Sequence, residues 1–190
     1  MSTPNPLSDW HLHCARHTLR RSGVIAYPTE AVWGLGCDPW DRSAVERILE
    51  LKQRPMDKGL ILVAADLDQV RFLLNPLPGN LQKAAASHWP GPVTCLLPDV
   101  LEQVPEWVRG KHSSIAVRVS AHPVVRALCS AAGMPLVSTS CNPSGHPPAR
   151  HSWQVHRYFG DRLDRIVPGA VGGDRNPSRI IDIVTGKQLR

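Results

Sequence analysis

A chain of 190 residues is long enough for one sizeable core and short for two, and 42% hydrophobic against 20% charged residues excludes a disordered chain. No apolar run approaches transmembrane length and the N-terminus lacks a signal pattern, so the reading excludes export and membrane insertion and expects a cytoplasmic protein. The net charge of +6 is unevenly spread: from Trp107 to Gly160 there is no Asp or Glu, while Arg109, Lys111, Arg118, Arg126, Arg150 and Arg157 carry the whole excess. Such a segment points to an anionic partner, nucleotide or nucleic acid, or is simply a solvated face.

In chain order, residues 1–7 are polar and Pro-rich and read as an arm. Ser8 or Asp9 caps a helix to about Ser22, with Leu12, Ala15 and Leu19 as its stripe and Gly23 as a left-handed stop. His11, His13 and His17 invite a metal, but a helix sets His11 and His13 on different faces and HExxH is absent. Val24–Tyr27 is a buried strand, and Pro28 ends its ladder. Thr29 and Glu30 then project from a strand end, suited to substrate contact or to capping the turn, and Gly34 and Gly36 follow in a loop. Ser43-x-x-Glu46 is a capping box opening a helix to about Lys52.

Lys52-Gln-Arg54-Pro-Met-Asp-Lys58 sets three cations within seven residues, on a loop broken open by Pro55 and leading into the strand 59–64. Ligands of α/β sheets bind at strand ends, so the loop suits a polyanion such as a triphosphate; equally, it reads as a solvated basic loop. Short helices follow around Val70–Leu74 and 80–88. Trp89-Pro-Gly-Pro is a stiff turn that sets the Thr94 hydroxyl at the start of the strand 93–97. Ile115–Val119 alternates, and Arg118 on its polar face is either salt-bridged or ligand-binding. A helix spans 123–132, and the strand 135–138 ends in Thr139-Ser140-Cys141-Asn142, a run rich in hydrogen-bonding groups. Neither Ser140 nor Cys141 has the context of a nucleophile. A helix at 152–159, a short strand at 165–167, a glycine loop at 169–173, a strand at 179–184 and a return hairpin at 187–190 complete the chain. The five cysteines are odd in number and lack CxxC, which reads as reduced, mostly buried thiols.

Several short elements recur in a specific order: Tyr27-Pro-Thr-Glu with Gly34-Leu-Gly36, Lys52-Gln-Arg54-Pro with Lys58-Gly-Leu, and Trp89-Pro-Gly-Pro-Val-Thr94. They continue with Ala116-Val-Arg118, Ser138-Thr-Ser140-x-Asn142 with Ser144-Gly145, and Asn176-Pro-Ser178. With these the chain resembles the YrdC-like threonylcarbamoyl-AMP synthases of the short, single-domain bacterial type, from about Val24 to Arg190. The resemblance implies one α/β domain, an open twisted mixed sheet with helices packed on it and a basic concave face. It implies the reaction of L-threonine, bicarbonate and ATP to threonylcarbamoyl-adenylate and pyrophosphate, with magnesium accompanying ATP. It also implies a downstream tRNA threonylcarbamoyltransferase complex acting at adenosine 37. The family's KxR and SxN signature falls on Lys52, Arg54, Ser140 and Asn142. Cys141 stands where the family usually has Ala, Trp33 replaces Tyr or Phe, and Val63 lies near a His of longer relatives. The extra C-terminal domain of those relatives is not expected.

That reaction needs alignment of two anions and stabilisation of a leaving pyrophosphate, not an enzyme nucleophile. No P-loop is present, so side-chain cations must hold the phosphates. Lys52, Arg54 and Lys58 are then expected at the triphosphate, with Ser140, Asn142, Thr94 and Arg190 as further ATP contacts. Thr29, Arg118, Ser138 and Ser178 are expected at threonine, Arg118 against its carboxylate. The runner-up from another class is a non-catalytic module binding tRNA or double-stranded RNA through the acid-free segment.

Overall fold

The computed structural model describes residues 6–189, so the arm at 1–5 and Arg190 lie outside the described residues. Leu7, assigned to the arm, is buried and packs in a core cluster with Ala15 and Leu19. These belong to helix α1 (Asp9–Leu19), whose first turn is capped by the Ser8 hydroxyl accepting from the His11 N–H. The helix stops before Ser22, and Gly23 is needed for a different reason than expected. A Cβ there would lie 2.5 Å from Thr18 Cγ2 and 2.6 Å from the Thr18 carbonyl oxygen, while Ser22 takes the positive φ of 58°.

Strand β1 (Ile25–Pro28) turns back into β2 (Trp33–Gly36). As expected, Pro28 ends the ladder, its last pair being with Trp33, but Gly34 and Gly36 belong to a strand rather than a loop. Gly36 is glycine because a Cβ would meet the Val137 carbonyl oxygen at 2.6 Å and the Tyr27 ring at 2.7 Å. Helix α2 (Arg42–Lys52) is capped by Asp41, which accepts from the Ala44 N–H at 3.2 Å. The Ser43–Glu46 capping box does not form, because Glu46 pairs with Arg42 and the Ser43 hydroxyl donates to Asp41. The remaining elements are β3 (Ile61–Ala64), α3 (Arg71–Leu74), α4 (Gly79–Ala86), β4 (Val93–Pro98), α5 (Glu106–Arg109), β5 (Ser114–Val119), α6 (Pro123–Ala132), β6 (Leu136–Ser140), α7 (Ser152–Phe159), β7 (Arg165–Ile166) and β8 (Arg179–Asp182).

The eight strands form one mixed sheet in the order β7-β1-β2-β6-β3-β5-β4-β8. Alternation along each strand sends neighbouring side chains to opposite faces. Val24, Ala26, Leu62, Ala64 and Val137 join one core cluster with α2, α3 and α7, while Ile25, Tyr27, Val63 and Leu136 join the other under α1 and α6. The protein is therefore an α/β fold with helices on both faces of an open mixed sheet, in agreement with the expected class. Helices α1 and α6 cover only part of their face, and the uncovered part carries the site.

Candidate active site

A cavity of about 420 Å³ opens on that face. Its floor is a row across the sheet: Leu96 pairs with Ala116, Ala116 with Ile61, and Ile61 with Ser138. Gly34, Ser140 and Arg118 extend it, and these mostly small residues leave room above the strands. Val63, two residues on from Ile61, is fully buried under α6, so Ile61 is the β3 residue at the cavity.

The cationic side of the cavity is built from two loops locked together. Leu60 N–H donates to the Val108 carbonyl at 2.8 Å, and Lys111 N–H to that of Asp57 at 3.2 Å. Gly59 and Gly110 have φ of 61° and 69°, and a Cβ on either would fall 2.6 Å from backbone atoms of the other loop. This contact brings Arg54, Lys58, Arg109 and His112 to one cavity. Arg54 donates to the Gly59 carbonyl at 2.9 Å, and burial lowers its pKa from the ordinary value. Lys58 is exposed. Arg109 is 17% exposed, and its ion partner Glu102, 78% exposed, stands off at 3.8 Å. Nε of Arg54 and of Arg109 are buried without a hydrogen-bond partner among the described residues. Sequence reasoning noted Arg109 only as part of a charge excess; a close Gly-to-loop contact has no signature in one chain.

Lys52 does not lie on the loop where it was expected. It is the last residue of α2, not part of the loop, and it is 5% exposed and absent from the cavity lining. Its ammonium donates to the Ser140 carbonyl, to the Asn142 carbonyl at 2.8 Å and to Asn142 Oδ1 at 3.4 Å. Ser144 N–H returns a bond to the Lys52 carbonyl at 2.9 Å. Burial lowers the Lys52 pKa to about 8. Asn142 is likewise spent on structure, its amide donating to the carbonyls of His146 at 2.7 Å and Pro143 at 3.0 Å. Lys52 and Asn142 thus form a latch between α2 and the loop after β6, which leaves Ser140 as the member of the SxN pair lining the cavity.

Of the expected threonine residues, Thr29, Arg118, Ser138 and Ser178 all line the cavity. The Thr29 hydroxyl donates to the Val32 carbonyl at 2.7 Å, so toward a ligand it is an acceptor. Arg118 is an ion-paired residue as well as a cavity residue: Nη2 lies 3.5 Å from Glu30 Oε2, an acid far away in sequence. Glu30 Oε1 accepts from the Ser120 hydroxyl at 2.6 Å. Ser138 lies against the buried Tyr27 hydroxyl, whose pKa burial raises. Thr94 is fully buried behind the wall, its hydroxyl 2.9 Å from that of Ser178, and does not line the cavity. Cys141 is buried, with its thiol pushed up to about 12 by burial, so it is no nucleophile at neutral pH.

The acid-free segment does not make a single basic surface. Arg109 and Arg118 enter the cavity, Lys111 lies 3.5 Å from Asp57, and Arg150 donates to the Arg175 carbonyl. Arg126 lies on α6 and Arg157 on α7, helices packed on opposite faces of the sheet. All five cysteines are buried free thiols. No helix among the described residues is long and apolar enough to cross a membrane.

The profile of the Sua5/YciO/YrdC family, described as "Telomere recombination", matches residues 17–190. A protein of Marinobacter nauticus named threonylcarbamoyl-AMP synthase is 78% identical over all of both chains. One of the same name from Pseudomonas aeruginosa is 55% identical over 97% of this chain and 98% of its own. Among solved structures, P. abyssi Sua5 complexed with L-threonine superposes with a TM-score of 0.85 at 33% identity, over 92% of this chain and 51% of that one. This chain therefore spans about half the length of that Sua5. E. coli YciO gives a TM-score of 0.81 at 26% identity, over 96% and 90%. Profile, sequence identity along the full length and superposition agree, and the chain belongs to the Sua5/YciO/YrdC family.

Proposed function

We propose that this protein is a threonylcarbamoyl-AMP synthase, a nucleotidyltransferase converting L-threonine, bicarbonate and ATP to threonylcarbamoyl-adenylate, pyrophosphate and water. One observation carries the reading beyond kinship: a cavity with cations on one side, small hydroxyl residues on its floor and, among the described residues, neither an acid nor an activated nucleophile in its lining. Such a site performs positioning and electrostatics. The threonine amine bonds to the carbon of bicarbonate, whose hydroxyl leaves with an amine proton as water, or to CO2 with loss of a proton, and either route gives the carbamate. A carbamate oxygen then attacks the α-phosphorus, and the α–β phosphoanhydride bond breaks to release pyrophosphate.

In this reading Arg54 and Lys58, joined by Arg109, hold the β- and γ-phosphates and take up charge on the leaving group. Ser140 meets the α-phosphate or ribose, while Lys52 and Asn142 act behind it by fixing its loop. Arg118 takes the threonine carboxylate, held in place by Glu30. Thr29, an acceptor, suits the threonine ammonium or hydroxyl, and Ser138 and Ser178 the remaining polar groups. Thr94 acts only through Ser178. Magnesium comes as MgATP, since among the described residues the lining contains no carboxylate to hold it independently. The product passes to a tRNA threonylcarbamoyltransferase complex in the cytoplasm.

The test is pyrophosphate release from MgATP, with each co-substrate omitted in turn. Release that needs both threonine and bicarbonate supports the synthase; release without threonine would instead make the protein a nucleotide hydrolase. RNA binding without ATP turnover would favour the non-catalytic module.

A further inference from the structure

The sheet order places β7 and β8 at opposite edges although they are consecutive strands. The segment between them must therefore cross the whole sheet. Residues 167–178 make that crossing.

Contacts along the segment show where it is fastened. At the start, Val167 N–H donates to the Ala26 carbonyl at 2.8 Å, and the Ala170 carbonyl lies 3.2 Å from His122 Nε2. In the middle, Gly172 N–H donates to the Thr29 carbonyl at 2.9 Å and Asp174 N–H to the Glu30 carbonyl at 3.2 Å. At the end, Arg175 is held by Arg150 at 2.6 Å, and Pro177 and Ser178 enter the cavity wall with the Ser178 hydroxyl against Thr94. The segment thus touches the backbone of the Thr29–Glu30 turn and supplies Ser178. Through Glu30 it also borders the ion pair that holds Arg118.

We infer that residues 167–178 are a strap that sets the threonine end of the cavity, and that Gly172 is its positioning residue. This rests on the synthase reading. A Cβ on Gly172 would fall 2.7 Å from the Glu30 carbonyl oxygen and 3.1 Å from Glu30 Cα, both backbone atoms. No side chain can rotate away to accommodate it, so either the strap lifts or the Thr29–Glu30 turn is displaced. Gly173, next along the chain, has nothing within 4 Å of its Cβ position and a backbone conformation open to alanine. The pair is an internal control: each loses a glycine from the same segment, and only Gly172→Ala collides.

The experiment compares Gly172→Ala and Gly173→Ala in the full-length protein, by steady-state kinetics, thermal melting and amide hydrogen exchange. The strap predicts that Gly172→Ala raises the threonine KM by about tenfold, on the scale expected of a misplacement below 1 Å, and changes the ATP KM less than twofold. It predicts faster exchange of the amides of residues 172 and 174 in Gly172→Ala without substrate, and wild-type behaviour for Gly173→Ala. Wild-type threonine KM in both variants would overturn the inference, and so would a Gly172→Ala defect confined to melting temperature. If the wild-type protein forms no pyrophosphate, the synthase reading fails, and the exchange of amides 172 and 174 still decides whether Gly172 fastens the strap.

Discussion

Two groups of cations a few residues apart in sequence behave as opposites. At the end of α2, Lys52 is buried and every contact it makes is to the protein: two carbonyls and an amide oxygen of the loop after β6. On the next loop, Arg54 and Lys58, with Arg109 from across the Gly59–Gly110 contact, face a cavity without an acid in its lining among the described residues. A buried ammonium among carbonyls is satisfied and rigid. The guanidinium groups of Arg54 and Arg109 each keep an Nε without a hydrogen-bond partner among the described residues. The difference teaches that belonging to one signature does not mean sharing one role. Lys52 braces the wall of the cavity, and the cations beyond it line that cavity.

The largest effect should come from breaking the latch. Lys52→Ala leaves the Ser140 and Asn142 carbonyls without their donor, at a cost of about 1–3 kcal/mol. Pyrophosphate release should fall at least ~100-fold, as expected when a positioning element moves by about 1 Å. Denaturant melts and kinetics on the same sample check both, and a variant with wild-type stability but no activity would return Lys52 to the phosphates. Next, Arg54→Ala should raise the ATP KM by about tenfold or more, consistent with loss of one charge-assisted contact of roughly 1.5–3 kcal/mol. Arg109→Ala should also raise the ATP KM, with stability changed by less than about 1 kcal/mol because its partner Glu102 is exposed. An unchanged ATP KM in Arg109→Ala would remove it from the phosphate site. Lys58→Ala, at an exposed position, should give the smallest change, a few-fold in ATP KM that shrinks as salt is added.

A pH titration sharpens the same contrast. The Lys52 ammonium is lowered from 10.5 to about 8 by burial. Between those values an unfolded chain keeps the proton and the folded one has released it, so this group makes stability rise with pH from about 8 to 10.5. Below pH 8 both states carry the proton and the contribution is flat. An NMR titration of the Lys52 side chain should show its midpoint near 8, and a midpoint at 10.5 would mean that the carbonyls offset the cost of burial completely.

The sheet strands carrying branched or alternating apolar residues were legible in sequence, as were α1, α2 and α6, because their apolar residues recur at helical spacing. Strand β2 was not, because Gly34 and Gly36 look like loop residues until the Tyr27 ring and the Val137 carbonyl are seen against them. The capping of α2 by Asp41 was hidden by the Ser43-x-x-Glu46 pattern, a local rule outcompeted by a nearer carboxylate and by Arg42. Thr29, Arg118, Ser138, Ser140 and Ser178 could be named because short motifs mark them. That Arg118 meets Glu30 could not, since 88 residues separate them and nothing local records the pairing. For Lys52 the sequence shows the charge and its place after a helix, but not which way the side chain turns.

The most direct measurement of the whole account is to incubate the protein with MgATP, L-threonine and 13C-bicarbonate and to capture the adenylate for mass analysis before it decays. The account predicts a threonylcarbamoyl-adenylate one mass unit heavier than that from unlabelled bicarbonate, formed only when all three substrates are present. Conversion of ATP without a labelled adenylate, or without any need for threonine, would contradict it.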